Sequence, residues 1–330
     1  MAIPSDGDLY EATLAFMRDS GLPVERSSPR KYTAFIKTAP SVTILFQRAG
    51  DIPSKIEEGS AYLGITGLDR FMESEVEGSE STVIIEELGF GKCELVMGVP
   101  DSWLDVDSMS DLADLSIDMR AAGTDLRVAT KYPRLVQSYL LKHGVNYFSL
   151  VQSSGTLEVA PAMGVADVIA DISSSGTTMR ENGLKTLYDG EVLKSQACVI
   201  GNRQLLLNHT IALEEARYIL EYMEAFLRAK DFFTITANIL GNSQEDVALR
   251  VAENPDLFGI RGPTVSKVYG DESSNWYAIT IVVPRDRMLQ AVDQLRNVGG
   301  ESVTVVNTNY VFNYKSDAFE RFLSVTDGQS

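Results

Sequence analysis

The chain has 330 residues, 44% of them hydrophobic and 23% charged, which suits a globular protein of two or three domains. Its 46 acidic and 29 basic side chains leave a net charge of −17. That excludes non-specific nucleic-acid binding, and it means an anionic ligand must be held by local cations and backbone N–H groups. Cys93 and Cys198 lie in apolar runs without a Cys-x-x-Cys spacing, and His143 and His209 are the only histidines, so a redox or metal pair is not expected. The start carries no signal-like region and no apolar run is long enough to cross a bilayer, so no membrane partner and a cytoplasmic location are expected.

Residues 1–4 read as a short strand. After the Ser5-Asp6-Gly7-Asp8 turn, Leu9, Ala12, Phe16 and Met17 recur at helical spacing, and Gly21 stops that helix. Residues 27–32 form a loop with two cations, Arg30 and Lys31, and an aromatic ring. A strand at 42–47 leads to Arg48, then to Asp51 and Pro53, which are placed to start a helix ended by Gly59. Another strand, 62–66, runs into Gly67-Leu68-Asp69. Strands at 83–88 and 93–99 flank the turn Leu88-Gly89-Phe90-Gly91. A short helix lies within 101–115, a strand at 126–130, and a helix from Pro133 to about His143, which reads as its C-terminal cap. Lys131 and Arg134 flank that helix's start, where the helix dipole disfavours cations. They serve an anion in a cleft or are ordinary solvated charges. Arg48 similarly is a surface ion pair or a ligand contact.

A strand at 147–152 and the polar run Ser153-Ser154-Gly155-Thr156 precede the most informative stretch, Glu158 to Leu184. There Val168-Ile169-Ala170 is a buried strand bracketed by Asp167 and Asp171. It runs into Ser173-Ser174-Ser175-Gly176-Thr177-Thr178, and helical spacing follows from Met179. Strand, small hydroxyl-rich loop and helix present free N–H groups and hydroxyls to an anion. The same residues also make an ordinary Ser/Thr helix cap. Asp171, at the strand's end, could meet ribose hydroxyls or a metal.

Strands at 185–188 and 195–200 end the strand–helix alternation, which indicates an α/β chain in two lobes around a cleft. Residues 205–230 read as one long amphipathic helix. From Phe232 the pattern becomes βαββαβ, the order of a ferredoxin-like unit.

Several of these motifs occur together in one known family. Arg48-x-x-Asp51-Ile52-Pro53, Leu63-Gly-Ile-x-Gly67-Leu68-Asp69, the Leu88–Gly91 turn and Thr130-Lys131-Tyr132-Pro133 come first. Glu158-Val-Ala-Pro161, Gly164-x-Ala-Asp167, Asp171, Ser174-Ser175-Gly176-x-Thr178 and Asn182-x-Leu184 follow. Together they resemble ATP phosphoribosyltransferase, the first enzyme of histidine biosynthesis. Gly262-Pro-Thr264, the Trp276 strand and Gly299-Gly300 resemble the regulatory domain of its long form. The resemblance implies a bilobal catalytic region of the type II periplasmic-binding-protein kind plus a C-terminal ferredoxin-like domain. Its domain boundaries would be 1–94 with 181–204 for lobe I, 95–180 for lobe II, 205–230 for a connecting helix and 231–330 for the regulatory domain. It implies joining of ATP N1 to phosphoribosyl diphosphate with pyrophosphate release, Mg2+ as cofactor, histidine as inhibitor and a homo-oligomer, dimer or hexamer.

By residue, it implies that Glu158, Asp171, Ser173, Ser174, Ser175, Gly176, Thr177 and Thr178 bind phosphoribosyl diphosphate. Arg48, Asp69, Leu88, Gly89, Phe90 and Gly91 would line the ATP side, with Arg30, Lys31 and Lys131 as further anion contacts. No residue is assigned as acid or base, and no metal ligand is named. The family usually carries Lys-Gly-Arg-Leu where this chain has Asp6-Gly7-Asp8-Leu9. A non-catalytic nucleotide- or amino-acid-binding protein of the same fold is the alternative that this reversal supports.

Overall fold

The computed structural model describes residues 1–28, 30–76, 78–152, 156–173, 176–269 and 275–324. The chain folds as two compact units, the first built from Met1–Arg18, Pro23–Ala216 and the C-terminal residues from Arg321, the second from Asp19–Leu22 and Arg217–Glu320.

The first unit opens with β1 (Ala2–Pro4), α1 (Asp8–Asp19), β2 (Val24–Glu25), β3 (Thr33–Ile36), β4 (Ala39–Gln47), α2 (Ile52–Glu57), β5 (Leu63–Gly67), α3 (Leu68–Ser74) and β6 (Ser81–Ile85). The chain then crosses into a second lobe. That lobe comprises β7 (Cys93–Pro100), α4 (Met109–Ala121), β8 (Leu126–Thr130), α5 (Pro133–Lys142), β9 (Phe148–Gln152), β10 (Val168–Ser173), α6 (Thr177–Glu181) and β11 (Leu184–Ser195). It returns through β12 (Ala197–Asn202) and α7 (Arg203–Leu207), and α8 (Thr210–Ala229) follows.

Lobe I is a seven-stranded sheet in the order β2-β3-β4-β1-β5-β12-β6, and lobe II a five-stranded sheet in the order β11-β7-β10-β8-β9. The lobe II strands read as near-continuous apolar runs because both their faces are covered. On β7, Leu95, Met97 and Val99 enter one core with Val128, Val168 and Val136, while Val96 enters the opposite core with Ala129, Ile169 and Met179.

Four elements differ from the sequence expectations. The loop at 27–32 is bounded by β2 and β3, short strands hidden in the sequence because each has only two to four residues. Gly67-Leu68-Asp69 opens helix α3. The stretch Leu184–Ser195 pairs with β7 along lobe II, so sheet pairing returns the chain to lobe I at Gln196. The helical stretch expected at 205–230 is two helices; α7 closes with Asn208 N–H bonding to Gln204 O, and α8 begins at Thr210. His209 stacks on Tyr62, ring centroids 5.4 Å apart.

The second unit contains β13 (Phe232–Leu240), α9 (Gln244–Ala252), β14 (Thr264–Lys267), β15 (Trp276–Pro284), α10 (Met288–Asn297) and β16 (Gly300–Asn307), and α11 (Asp317–Ser324) ends the described chain. The antiparallel sheet order β14-β15-β13-β16 is that of a ferredoxin-like βαββαβ unit, as the sequence order implies. Strand alternation places Ile235, Ala237 and Ile239 of β13 against Val247, Val251, Ala291 and Leu295 of the two helices.

Candidate active site

The loop after β10 is closed by one short bond. Gly176 N–H donates to Ser173 Oγ at 2.8 Å, and Gly176 has φ +68°, a conformation that favours glycine. Thr177 and Thr178 follow, exposed, at the start of α6, and Arg180 Nη2 reaches Thr177 Oγ1 at 3.3 Å. Ser174 and Ser175 lie outside the described residues. Asp171, expected at the strand's end, instead lies within β10 opposite Val96, because the strand runs on to Ser173, and it accepts Ile172 N–H at 2.8 Å. Burial raises its carboxyl above the usual range, against the pull of Ile172 N–H, Lys131 and Arg70, and Glu158 adds to the rise. Glu158 lies in the single-turn helix Leu157–Val159, and Lys131 is exposed at the end of β8. Asp171, Glu158, Lys131 and the loop are therefore brought together, all from lobe II.

Asp69 is placed differently. It is 5% exposed and both its oxygens are taken: Tyr132 O–H donates to Oδ2 at 2.6 Å, and Ser195 O–H to Oδ1 at 2.7 Å. Asp69 N–H in turn donates to Ser195 Oγ at 3.0 Å. Among the described residues Tyr132 is the largest fully buried side chain; without a partner its hydroxyl would cost about 1–3 kcal/mol to bury. Burial first, then the Asp69 charge, hold that phenol far above its usual titration range, so it remains a donor. Tyr132 belongs to lobe II, Asp69 to lobe I and Ser195 to the return crossing, so these three side chains join the lobes. A second junction lies beside them. Glu73 of α3 accepts the N–H groups of Arg134 and Leu135, at 2.9 and 3.0 Å, capping α5 from the other lobe. Arg134, which the sequence offers as an anion contact, instead donates to Glu73 O at 3.1 Å and lies 3.7 Å from Glu75.

The turn Leu88–Gly91 is pinned to the crossing. Leu88 N–H donates to Ala197 O, Gly89 N–H to Gln196 Oε1, and Ala197 N–H to Phe90 O. Gly91 has φ +66°, and a Cβ there would stand 2.3 Å from Leu9 Cδ2, so α1 packs against this turn. A cavity of 410 Å³ opens here, lined by Leu68, Lys92, Cys93, Ser173, Lys194 and Ser195 among others. Cys93 is half-buried rather than enclosed. Burial and Asp69 raise its thiol's pKa, opposed by a bond from Ser195, and Asp8 also raises it. Cys198 is buried and its thiol is pushed up to about 12.

Arg48 is exposed and forms no ion pair with a described residue; its turn is tied to β5 by Thr66 O–H donating to Ala49 O at 2.7 Å. Arg30 and Lys31 lie exposed between β2 and β3, where Arg26 Nε donates to Lys31 O at 2.5 Å. No described contact joins them to the cleft.

The sequence reading missed Tyr132, Ser195 and Arg70. Arg70 is bonded to the chain beside Asp69, and its guanidinium lies 4.6 Å from the Tyr132 ring centroid. Nothing local in the sequence marks the burial of Tyr132 or the role of Ser195, since both depend on partners distant in the chain.

Comparison with known proteins agrees with this architecture. Residues 48–225 match the family model described as HisG: ATP phosphoribosyltransferase, and 229–310 match HisG, C-terminal domain. The chain is 38% identical to ATP phosphoribosyltransferase 2, chloroplastic, of Arabidopsis thaliana, over 98% of this chain and 79% of that one. It is 36% identical to ATP phosphoribosyltransferase of Nitrobacter hamburgensis, over 97% of this chain and 96% of that one. In fold it is similar to the structure titled ATP phosphoribosyl transferase (HisG:HisZ) complex from Thermotoga maritima, with a TM-score of 0.51 and 23% identity over 68% of this chain and 97% of that one.

Proposed function

We infer the roles of the cleft residues from one premise: the chain belongs to the ATP phosphoribosyltransferase family. It is an enzyme that joins N1 of ATP to the anomeric carbon of phosphoribosyl diphosphate and releases pyrophosphate, the first step of histidine biosynthesis. The attacking ring nitrogen carries a lone pair and no proton at neutral pH, so the protein's work is positioning and charge stabilisation.

Ser173 to Thr178 hold the 5′-phosphate, and Asp171 with Glu158 meets the ribose hydroxyls. The observation that carries this is the closed loop at Gly176 directly after the half-buried Asp171. Leu88 to Gly91 and Arg48 line the nucleotide side. Asp69, with both oxygens occupied by hydroxyls, supports that side from beneath rather than touching the nucleotide. Among the described residues no group of three or more His, Cys, Asp or Glu side chains could hold a metal ion. Mg2+ favours one or two carboxylates plus substrate phosphates, and Asp171 and Glu158 would supply the carboxylates. When bound, Mg2+ neutralises the leaving diphosphate.

Residues 231–330 form a regulatory region that binds histidine, and the chain works as a homo-oligomer. Among the described residues no helix is long and apolar enough to cross a membrane, and the free thiols of Cys93 and Cys198 suit a reducing compartment such as the cytoplasm. One experiment tests these assignments: pyrophosphate release by the parent and Gly176→Val, each with and without histidine. Valine at φ +68° is strained, and a Cβ there meets Arg180 Nη1 at 2.9 Å. The variant should fold and lose at least tenfold in phosphoribosyl diphosphate affinity, and millimolar histidine should slow the parent. Undiminished affinity in a folded variant would remove the loop from the site, and indifference to histidine would remove the regulatory assignment.

A further inference from the structure

The cleft has to hold two polyanions, yet its described surroundings are rich in carboxylates. Glu86, Glu87 and Glu94 line the cavity, and the charge of Asp8 reaches Cys93 in it. Of the cavity's cations, Lys194 is already paired with Glu191 at 3.3 Å. Lys92 in the cavity and Lys131 beside Asp171 supply point charges on flexible stems, and a cation held in a fixed plane would complement them.

Arg70 has that character. Its stem runs back along lobe I: Cγ would lie 3.8 Å from a Cβ on Gly67, and Cδ 4.0 Å from one on Gly50. The guanidinium then rests on the Tyr132 ring, 4.6 Å from its centroid, and Nε lies 3.4 Å from Asp69 Oδ2. Stacking on one side and a carboxylate at Nε fix the plane of the group. Neither terminal nitrogen bonds to a described residue, and 37% of the side chain is accessible. A purely structural ion pair would turn the terminal nitrogens onto Asp69 in a forked contact. Here two hydroxyls already occupy that carboxylate, and the guanidinium meets it through Nε. The charge of Arg70 is felt at Asp171, at Cys93 and at Tyr132, three groups of the cleft.

We propose that Arg70 binds a phosphoryl group of a substrate, its guanidinium presented across the cleft toward Asp171. The inference rests on the reading of Asp171 as the ribose-facing carboxylate. The anion is the diphosphate of phosphoribosyl diphosphate or the triphosphate of ATP, which share the chemistry that a guanidinium fork recognises.

The test is calorimetry on the full chain with Mg2+–phosphoribosyl diphosphate and with ATP separately, using Arg70→Gln, Arg70→Lys and Asp171→Asn. Arg70→Gln should weaken one of the two ligands by about 30-fold, the range of a charged phosphate contact, with a shallower salt dependence. Arg70→Lys, which keeps the charge and loses the fork, should fall between parent and Arg70→Gln. The ligand that responds identifies which phosphoryl group is held. If Arg70→Gln, or Arg70→Lys should the glutamine variant fail to fold, binds both ligands within about twofold of the parent while Asp171→Asn binds phosphoribosyl diphosphate poorly, the Arg70 inference is overturned and the site stands. If Asp171→Asn is also unchanged, the site reading itself fails and takes this inference with it.

Discussion

Asp69 and Asp171 each stand where a strand of one lobe hands over to a helix, Asp69 in the first turn of α3 directly after β5 and Asp171 still within β10, ahead of the loop and α6. Their surroundings separate them completely. Asp69 is enclosed by Tyr132, Ser195 and Arg70, so its charge is used up inside the protein. Asp171 has a single backbone donor, is only partly buried, and has its carboxyl raised. A carboxylate with filled lone pairs fixes geometry; one with spare lone pairs can meet a ligand. The same residue type, at a helix start in lobe I and within a strand in lobe II, therefore holds the two lobes together in one place and offers a ligand contact in the other.

The comparison breaks most visibly at Asp69. Asp69→Ala strands the hydroxyls of Tyr132 and Ser195 in buried positions, where each unsatisfied group costs about 1–3 kcal/mol. We expect a loss of about 3 kcal/mol in urea unfolding of the first unit, with little pH dependence between 6 and 8 because the phenol does not titrate there. Asp69→Asn keeps the shape and one acceptor, so its loss should be about 1 kcal/mol. A parent-like urea midpoint for Asp69→Ala would mean that the three-way contact does not hold the lobes.

Asp171 should behave in the opposite sense. Its folded pKa lies above the ordinary value of 3.8, chiefly through burial, so the ionised group destabilises the fold. That penalty is fully present at neutral pH, shrinks as pH falls through the folded pKa, and is gone below about 3.8, where both states are protonated. Asp171→Asn should therefore raise the unfolding midpoint at pH 7 and lose that advantage in acid, while binding phosphoribosyl diphosphate less well. A drop in stability at pH 7 would show that Asp171 is a structural carboxylate like Asp69.

The two aspartates also mark how far the sequence could be read. The apolar runs of β7, β8 and β10 identify strands covered on both faces, and the βαββαβ order of the second unit follows from alternation. Asp171 is recognisable as a candidate ligand because its whole setting, strand, hydroxyls and Gly176, is contiguous. Asp69 is not, because its partners lie 63 and 126 residues away in the chain. Local pattern carries no information on which distant hydroxyl fills a carboxylate. Arg70 is adjacent in sequence, yet its importance depends on the Tyr132 ring beneath it, which only the fold brings there.

The acidic turn before α1 gives the smallest effect and the finest test of the contrast. Asp8 is exposed in the first turn of α1, where a negative charge suits the helix N-terminus, and its field reaches Cys93 in the cavity. It thus has a structural use, like Asp69, and a position near the ligand side, like Asp171. The change Asp6→Lys with Asp8→Arg separates these roles. If the turn repels substrate phosphates, the variant should bind at least one substrate about threefold more tightly at low salt, because exposed charges near a solvated cleft interact weakly. The gain should fade as ionic strength rises and the Debye length shortens to about 8 Å at physiological salt. If Asp8 acts only on its helix, affinity should stay level at every salt concentration, and the unfolding midpoint should fall slightly as a positive charge replaces a negative one at the helix start. Level affinity together with an unchanged midpoint would leave the turn with neither role, and the acidic pair would be a surface variation without consequence for the cleft.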